Sequence, residues 1–187
     1  MEDTQLDHAL ITGAFTVIEQ SGWRGLSVAA AARAAGVPLE RARSRFTGRL
    51  DLLRRFARLA DEAALTGLAE DSTPRDRLLG IVMSRIDALQ AQRAGVVALL
   101  RHLQRDPVTA AALLGPALTS MRWMLDGAGI DTGSALGHLR VKAMLGVWLV
   151  TLKAWIDDAT EDLSPTMAAL DRALERAEQL ENMFART

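Results

Sequence analysis

Residues 27–52 read SVAAAARAAGVPLERARSRFTGRLDL, and that stretch decides the fold. Ser27 carries a side-chain oxygen able to accept a backbone N–H from a first helical turn, and the alanines behind it are the strongest helix formers. A helix therefore begins at Ser27. Gly36 can take the left-handed conformation that closes a helix, and Pro38, with no N–H to lose, suits the first position of the next one. Two short helices joined by a turn of about three residues have the spacing of a helix-turn-helix. On the second helix Pro38, Ala42, Arg45 and Phe46 share one side, while Glu40, Arg41, Arg43 and Ser44 point away from it.

Between Arg33 and Arg49 the chain sets Arg33, Arg41, Arg43, Arg45 and Arg49 against Glu40 alone. Arginine is permanently charged and forked, so it can neutralise a phosphate or pair with the acceptor edge of guanine. A charge run by itself is ordinarily a solvated face. The turn just upstream points this one toward nucleic acid instead. Charge is also divided along the chain: residues 1–58 hold nine arginines against six acids, a balance of +3, which leaves −4 for the remainder of a chain whose net charge is −1. A basic head on an acidic body is what a DNA reader needs.

The 187 residues, 49% hydrophobic and 24% charged, suffice for one large or two small globular domains. Cysteine is absent, which removes disulfides, thiolate chemistry and sulfur-based metal sites. The first ten residues, MEDTQLDHAL, lack the basic and apolar regions of a secretory signal, and an intracellular, cytoplasmic setting is expected.

Upstream, Leu10, Ile11, Ala14, Phe15, Val17 and Ile18 recur at helical spacing, so a helix from Thr4 to about Gln20, capped by Thr4 or Asp3, is expected beneath the helix-turn-helix. His8 near its start reads as solvent-facing, with no ligand partner nearby. Downstream, Leu50 to Leu68 reads as a longer helix whose N-terminus would lie near phosphates. Asp71-Ser72-Thr73-Pro74 breaks the pattern. The expected organisation is a helix-turn-helix domain over 1–50, a connecting helix and boundary over 51–72, and a helical effector-binding and dimerisation domain over 73–187. Within that last part, helices are expected over 75–92, 96–104 and 108–126, with Pro107 opening the third and Gly127-Ala128-Gly129 ending it. No stretch alternates as a strand does, so the fold should be all-α.

Residues 143–156, AMLGVWLVTLKAWI, carry one charge and are short of the roughly 20 apolar residues that span a bilayer, so a buried core helix is expected rather than a membrane segment. The last segment, from Pro165 to about Phe184, is amphipathic. Together these two helices expose more apolar surface than one small body covers, and pairing with a second copy is expected.

Around the turn, AGVPLERARSRFTGRLDLL resembles the signature of TetR-type transcriptional repressors, roughly A-G-V-S-x-G-x-L-Y-x-H-F-x-S-K-x-x-L. Ala35, Gly36, Val37, Phe46 and Leu52 match, and Gln20-Ser21-Gly22-Trp23 with Leu26-Ser27 resembles the element before it. Arg43 stands where that family has a phosphate-contacting tyrosine, Arg45 where histidine is common, Arg49 where lysine is usual, and Glu40 where a small residue approaches DNA. The resemblance implies a homodimer through the last two helices, a palindromic double-stranded operator, and a connecting helix whose rotation moves the recognition helix. It places Ser27, Glu40, Arg41, Arg43, Ser44, Arg45 and Arg49 at the DNA, with Arg43, Arg45 and Arg49 on phosphates and Arg41 with Glu40 on base edges.

It further implies a small apolar or amphipathic effector, for which Met83, His102, Met121, Arg122, Met124, Met144 and Trp148 are the candidate pocket residues, since soft thioethers and aromatic faces suit an adaptable cavity. Taken singly, the methionines and the tryptophan read first as plain core, and His102 and Arg122 at least as readily as surface or capping residues. No cofactor and no metal is implied. Catalytic motifs are absent: no zincin helix, no phosphate loop, no tyrosine, and histidines far apart, so an enzyme is not expected. The alternative is a binding protein, because TLKAWIDDATEDLSPTMAALDRALERAE looks similar to the lipid-binding accessory proteins of ubiquinone biosynthesis, which share the TetR-type fold without DNA recognition. Four acids against three arginines over 165–187 suit an anionic membrane surface poorly.

Overall fold

Residues 3–67 and 72–184 are described in this computed structural model, and among them the regular structure is entirely helical. The elements are α1 (Asp3–Gly25), α2 (Val28–Ala34), α3 (Leu39–Arg45), α4 (Arg49–Ala64), α5 (Pro74–Gln90), α6 (Arg93–Leu103), α7 (Pro107–Gly127), α8 (Ala135–Asp157) and α9 (Ser164–Phe184). The expected helix end at Leu68, the boundary position Asp71 and the terminal Arg186 lie outside the described residues.

The turn forms as its residues dictate. Ser27 Oγ accepts from Ala30 N at 3.0 Å and caps α2. Gly36 sits at φ 63°, the left-handed region that glycine enters without a Cβ penalty. Pro38 differs from expectation: with φ −54° and ψ 135° it is the residue before α3, not its first helical position. Its N–H-less ring still sets the entry angle, but the extended ψ keeps it outside the helix. Between α1 and α2 the spacing is set by Gly13, where a Cβ would meet the Ala31 carbonyl oxygen at 2.4 Å. Only glycine allows the two backbones to approach so closely.

Two compact units emerge. One comprises the residues up to Ala60 together with Leu89–Pro116, and the other Asp61–Ala88 together with those from Ala117 onward. Sequence punctuation puts the division at 51–72, yet α6 returns to the first unit. The reason is again a small residue, since Gly95 lies so close to α1 that a Cβ would fall 2.7 Å from the Phe15 carbonyl oxygen. Around this crossing Leu10, Phe15 and Ile18 are fully buried, and Phe15 meets Phe56 edge-on with ring centroids 4.5 Å apart.

In the second unit each helix start has its own cap. Thr73 Oγ1 accepts from Asp76 N at 3.1 Å, and Ser134 Oγ from Gly137 N at 3.0 Å. Asp158, buried between α8 and α9, accepts from Thr160 Oγ1 and from Thr166 Oγ1, each at 2.6 Å. Those hydroxyls and the matching backbone N–H groups hold its carboxyl well below the usual range. The α8 helix runs 23 residues, long and apolar enough by length and composition to cross a bilayer, so the expectation of a segment too short to span rests on the wrong boundaries. Ser134 starts the helix earlier than the apolar run does. One face is packed, with Val141, Met144, Val147, Trp148, Leu152 and Trp155 buried, while Leu139, Leu149 and Val150 are exposed.

Gly13→Ala should lower stability by roughly 1–3 kcal/mol, because neither backbone can yield without repacking α2. Gly80→Ala, at an exposed α5 position with open space around it, should instead raise stability by about 0.5–1 kcal/mol. Urea denaturation of the two variants checks both signs.

Candidate nucleic-acid interface

The inward side of α3 holds Ala42, fully buried, and is followed by Phe46, 4% exposed. Arg45 lies at the edge of this side, its side chain 36% exposed, and reaches back to a buried acid, which needs a compensating cation. The acid is Asp7 of α1, whose side chain is wholly buried. Arg45 donates to it twice, Nε to Oδ1 at 2.7 Å and Nη2 to Oδ2 at 2.7 Å. Arg55 of α4 donates its Nε to the same Oδ2 at 2.7 Å. One carboxylate therefore fastens three helices, and Asp3 adds an outlying charge 3.5 Å from Arg45 Nη1. The Arg45 hydrogen bonds foremost, with the Arg55 hydrogen bond and both charges, hold the Asp7 carboxyl below its usual range against the opposing effect of burial.

Arg49 is engaged as well. Its guanidinium lies 4.4 Å from the centre of the buried Trp23 ring and Nη1 donates to the Trp23 carbonyl at 3.2 Å. Asp51 follows in the first turn of α4, where it accepts from Thr47 N at 3.2 Å, from the Thr47 hydroxyl, and from Arg54 Nη1 at 3.0 Å.

The outer side of α3 is open. Glu40, Arg43 and Ser44 are exposed and Arg41 is half-buried. Ser44 Oγ donates to the Arg41 carbonyl at 2.9 Å, and Ser27 Oγ is occupied by its capping bond. The Arg43 side chain has no hydrogen bond or ion pair among the described residues. The structure thus groups Glu40, Arg41, Arg43 and Ser44 on one surface, while Arg45 and Arg49 are turned onto α1. Sequence reasoning misses Asp7 and Trp23 as their partners. The available signal is Arg45 itself, an arginine sharing a helix side with Ala42 and Phe46.

The candidate effector residues are divided between the two units and differ in exposure. Met121, Met124, Met144 and Trp148 are buried in the second unit, Met83 is half-buried, and Arg122 is exposed. Arg122 follows Met121 directly, and adjacent positions do not share a helix face. His102 belongs to the first unit, where its Nε2 lies 3.2 Å from Asp106 Oδ2. Unseen from sequence is a buried polar centre beside Trp148. Arg85 lies over that ring at 4.5 Å, its Nε is 2.9 Å from Asp61 Oδ1, and Ser120 Oγ donates to Asp61 Oδ2 at 2.6 Å. The Nε and Oδ1 atoms are out of line for a hydrogen bond. Burial pushes the Asp61 carboxyl up and the Arg85 guanidinium down, each opposed by the other's charge.

Comparison with solved structures identifies the fold. A TetR transcriptional regulator from Nitrosomonas europaea ATCC 19718 superposes with a TM-score of 0.72 at 18% identity, over 93% of this chain and 98% of that one. A TetR transcriptional regulator from Rhodococcus sp. RHA1 gives 0.63 at 14% identity, over 94% of this chain and 97% of the other. No family model and no curated protein matches the sequence. The chain has the all-helical fold of TetR transcriptional regulators.

Asp7→Asn should destabilise the protein by roughly 2 kcal/mol, since three charge-assisted hydrogen bonds from two arginines lose their acceptor charge at a buried carboxylate. Because the folded carboxyl titrates below the unfolded one, its contribution is complete above about pH 4 and is lost as pH falls toward the folded value. Stability measured between about pH 5 and about pH 2 should therefore fall less steeply in Asp7→Asn than in the wild type.

Proposed function

We propose that the chain is a DNA-binding transcription regulator, with the helix-turn-helix of α2 and α3 entering a major groove. Arg43 contacts a phosphate, and Arg41 with Glu40 lies beside base edges. The observation that carries this reading is the exposed Arg43, without an intramolecular partner among the described residues, on the one side of α3 that packing leaves open. A phosphate contact needs a long cation with its donors unspent. Arg45 and Arg49 can add only those N–H groups that Asp7 and Trp23 leave available. The basic balance of residues 1–58 and the likeness of fold to TetR transcriptional regulators support the same reading.

The protein acts as a homodimer in this reading, joined through α8 and α9. Those helices leave Leu149 56%, Val150 49%, Leu180 52% and Met183 62% exposed, and a second copy would cover them. Two recognition helices would then meet successive major grooves about 34 Å apart, which calls for a palindromic operator. The role is repression in the cytoplasm, relieved by a small ligand held in the second unit.

The test is binding of the purified protein to its own upstream DNA and to a random duplex at two salt concentrations. The reading expects salt-sensitive binding with preference for the first. Arg43→Ala should weaken binding to both duplexes and reduce the slope of log K against log salt by about 1. Absence of binding to either duplex at low salt would overturn the reading in favour of a lipid-binding protein of the same fold, and an unchanged slope would remove Arg43 from the interface.

A further inference from the structure

The second unit contains a cavity of about 240 Å³ that shares only Met144 with the candidate pocket residues. It lies between α5, the end of α7, α8 and α9, with Leu78, Leu125, Leu136, Met144 and Leu174 among its walls. The walls are aliphatic apart from four charged residues. Leu78, Leu125, Met144, Val147 and Leu174 are buried, whereas the four charged residues lie with the exposed Leu139 and Leu180 on the more accessible part of the lining, Arg75 and Arg140 31% and 23% exposed at the side chain, Glu178 and Glu181 50% and 35%.

All four are already matched. Arg75 Nη1 donates to Glu178 Oε2 at 2.6 Å, and its Nη2 to Asp171 Oδ1 at 2.7 Å. Arg140 Nε donates to Glu181 Oε1 at 3.0 Å, and Nη2 donates to the same oxygen. A carboxylate ligand would have to displace a glutamate to reach either arginine, and a cation would have to displace an arginine. Deeper in the cavity a charge would face hydrocarbon with no counter-ion, which is prohibitive. An uncharged molecule meets neither obstacle.

We propose that this cavity binds an uncharged, apolar small molecule of the size of an alkylbenzene. An apolar cavity of about 150 Å³ holds benzene, so the volume present leaves room for a short alkyl chain beyond the ring. A regulatory role for such a ligand rests on the reading above, whereas the site itself does not.

The experiment uses the full-length protein without DNA and the neutral fluorescent probe N-phenylnaphthylamine. The probe should bind saturably, with one site per chain, and butylbenzene should displace it at concentrations lower by about tenfold or more than phenylbutyrate, the same skeleton with a carboxylate. Leu136→Trp, at a half-buried position of the wall, should weaken the probe by about tenfold or more while helicity and melting stay unchanged. Ile130→Trp fills the same space from the loop after α7 and serves if the first variant misfolds. Met121→Leu, in the packed core, should leave the affinity unaltered. The proposal is overturned by any one of three results: no saturable binding, equal displacement by phenylbutyrate, or probe affinity untouched by both tryptophan variants. Because DNA is absent, these results stand whether or not the protein binds an operator. If butylbenzene binds and the wild type binds DNA, its effect on operator affinity should disappear in Leu136→Trp; an effect that persists there would place the regulatory ligand elsewhere.

Discussion

The arrangement of the N-terminal unit depends on one buried carboxylate. Asp7 has no access to water, so it must be paired within the protein, and the pairs it makes come from α3 and α4. The cost of leaving such a group unpaired exceeds that of losing almost any single surface contact, so the relative placement of the three helices is tightly specified. It follows that Arg45 has a folding role before any binding role. The same division applies to Arg49, which spends its cation on the Trp23 ring and carbonyl. What remains for a partner is the outer side of α3.

Much of this is legible in the residues. Ser27, Gly36 and the period of Ala42 and Phe46 are local signals, each with one dominant physical reading, and they describe the turn closely. The helical class follows from periodicity alone. Arg45 and Arg49 are legible as cations, but their internal engagement is not, because their partners lie 38 and 26 residues away in sequence. No local pattern marks Asp7 as buried. It sits among ordinary helical positions, and its burial is decided by what α3 and α4 bring to it. The return of α6 to the first unit is hidden for a similar reason, since a glycine that permits a close crossing looks like any other glycine until the opposing backbone is known.

The second unit shows the limits of composition as a guide to a cavity. Methionine and tryptophan suggest an adaptable pocket, yet Met121 and Met124 are solid core and Trp148 is a platform for Arg85. The open volume is bordered mostly by aliphatic residues such as Leu78, Leu125, Leu136 and Leu174 from α5, α7, α8 and α9, with Met144 the one candidate methionine among them. Side-chain size rather than softness determines where space is left, and that depends on four helices at once. The Asp61 and Arg85 pair illustrates the converse, a strongly charged centre that packing has closed.

The central claim is that the outer side of the helix-turn-helix is the surface that meets DNA. Amide hydrogen exchange on the full chain, free and bound to its upstream duplex, tests it directly. The account predicts slowed exchange in peptides spanning α2, α3 and the first turn of α4, larger than any change the duplex causes in the second unit. Protection absent from residues 28–52, or confined to the second unit, would contradict it.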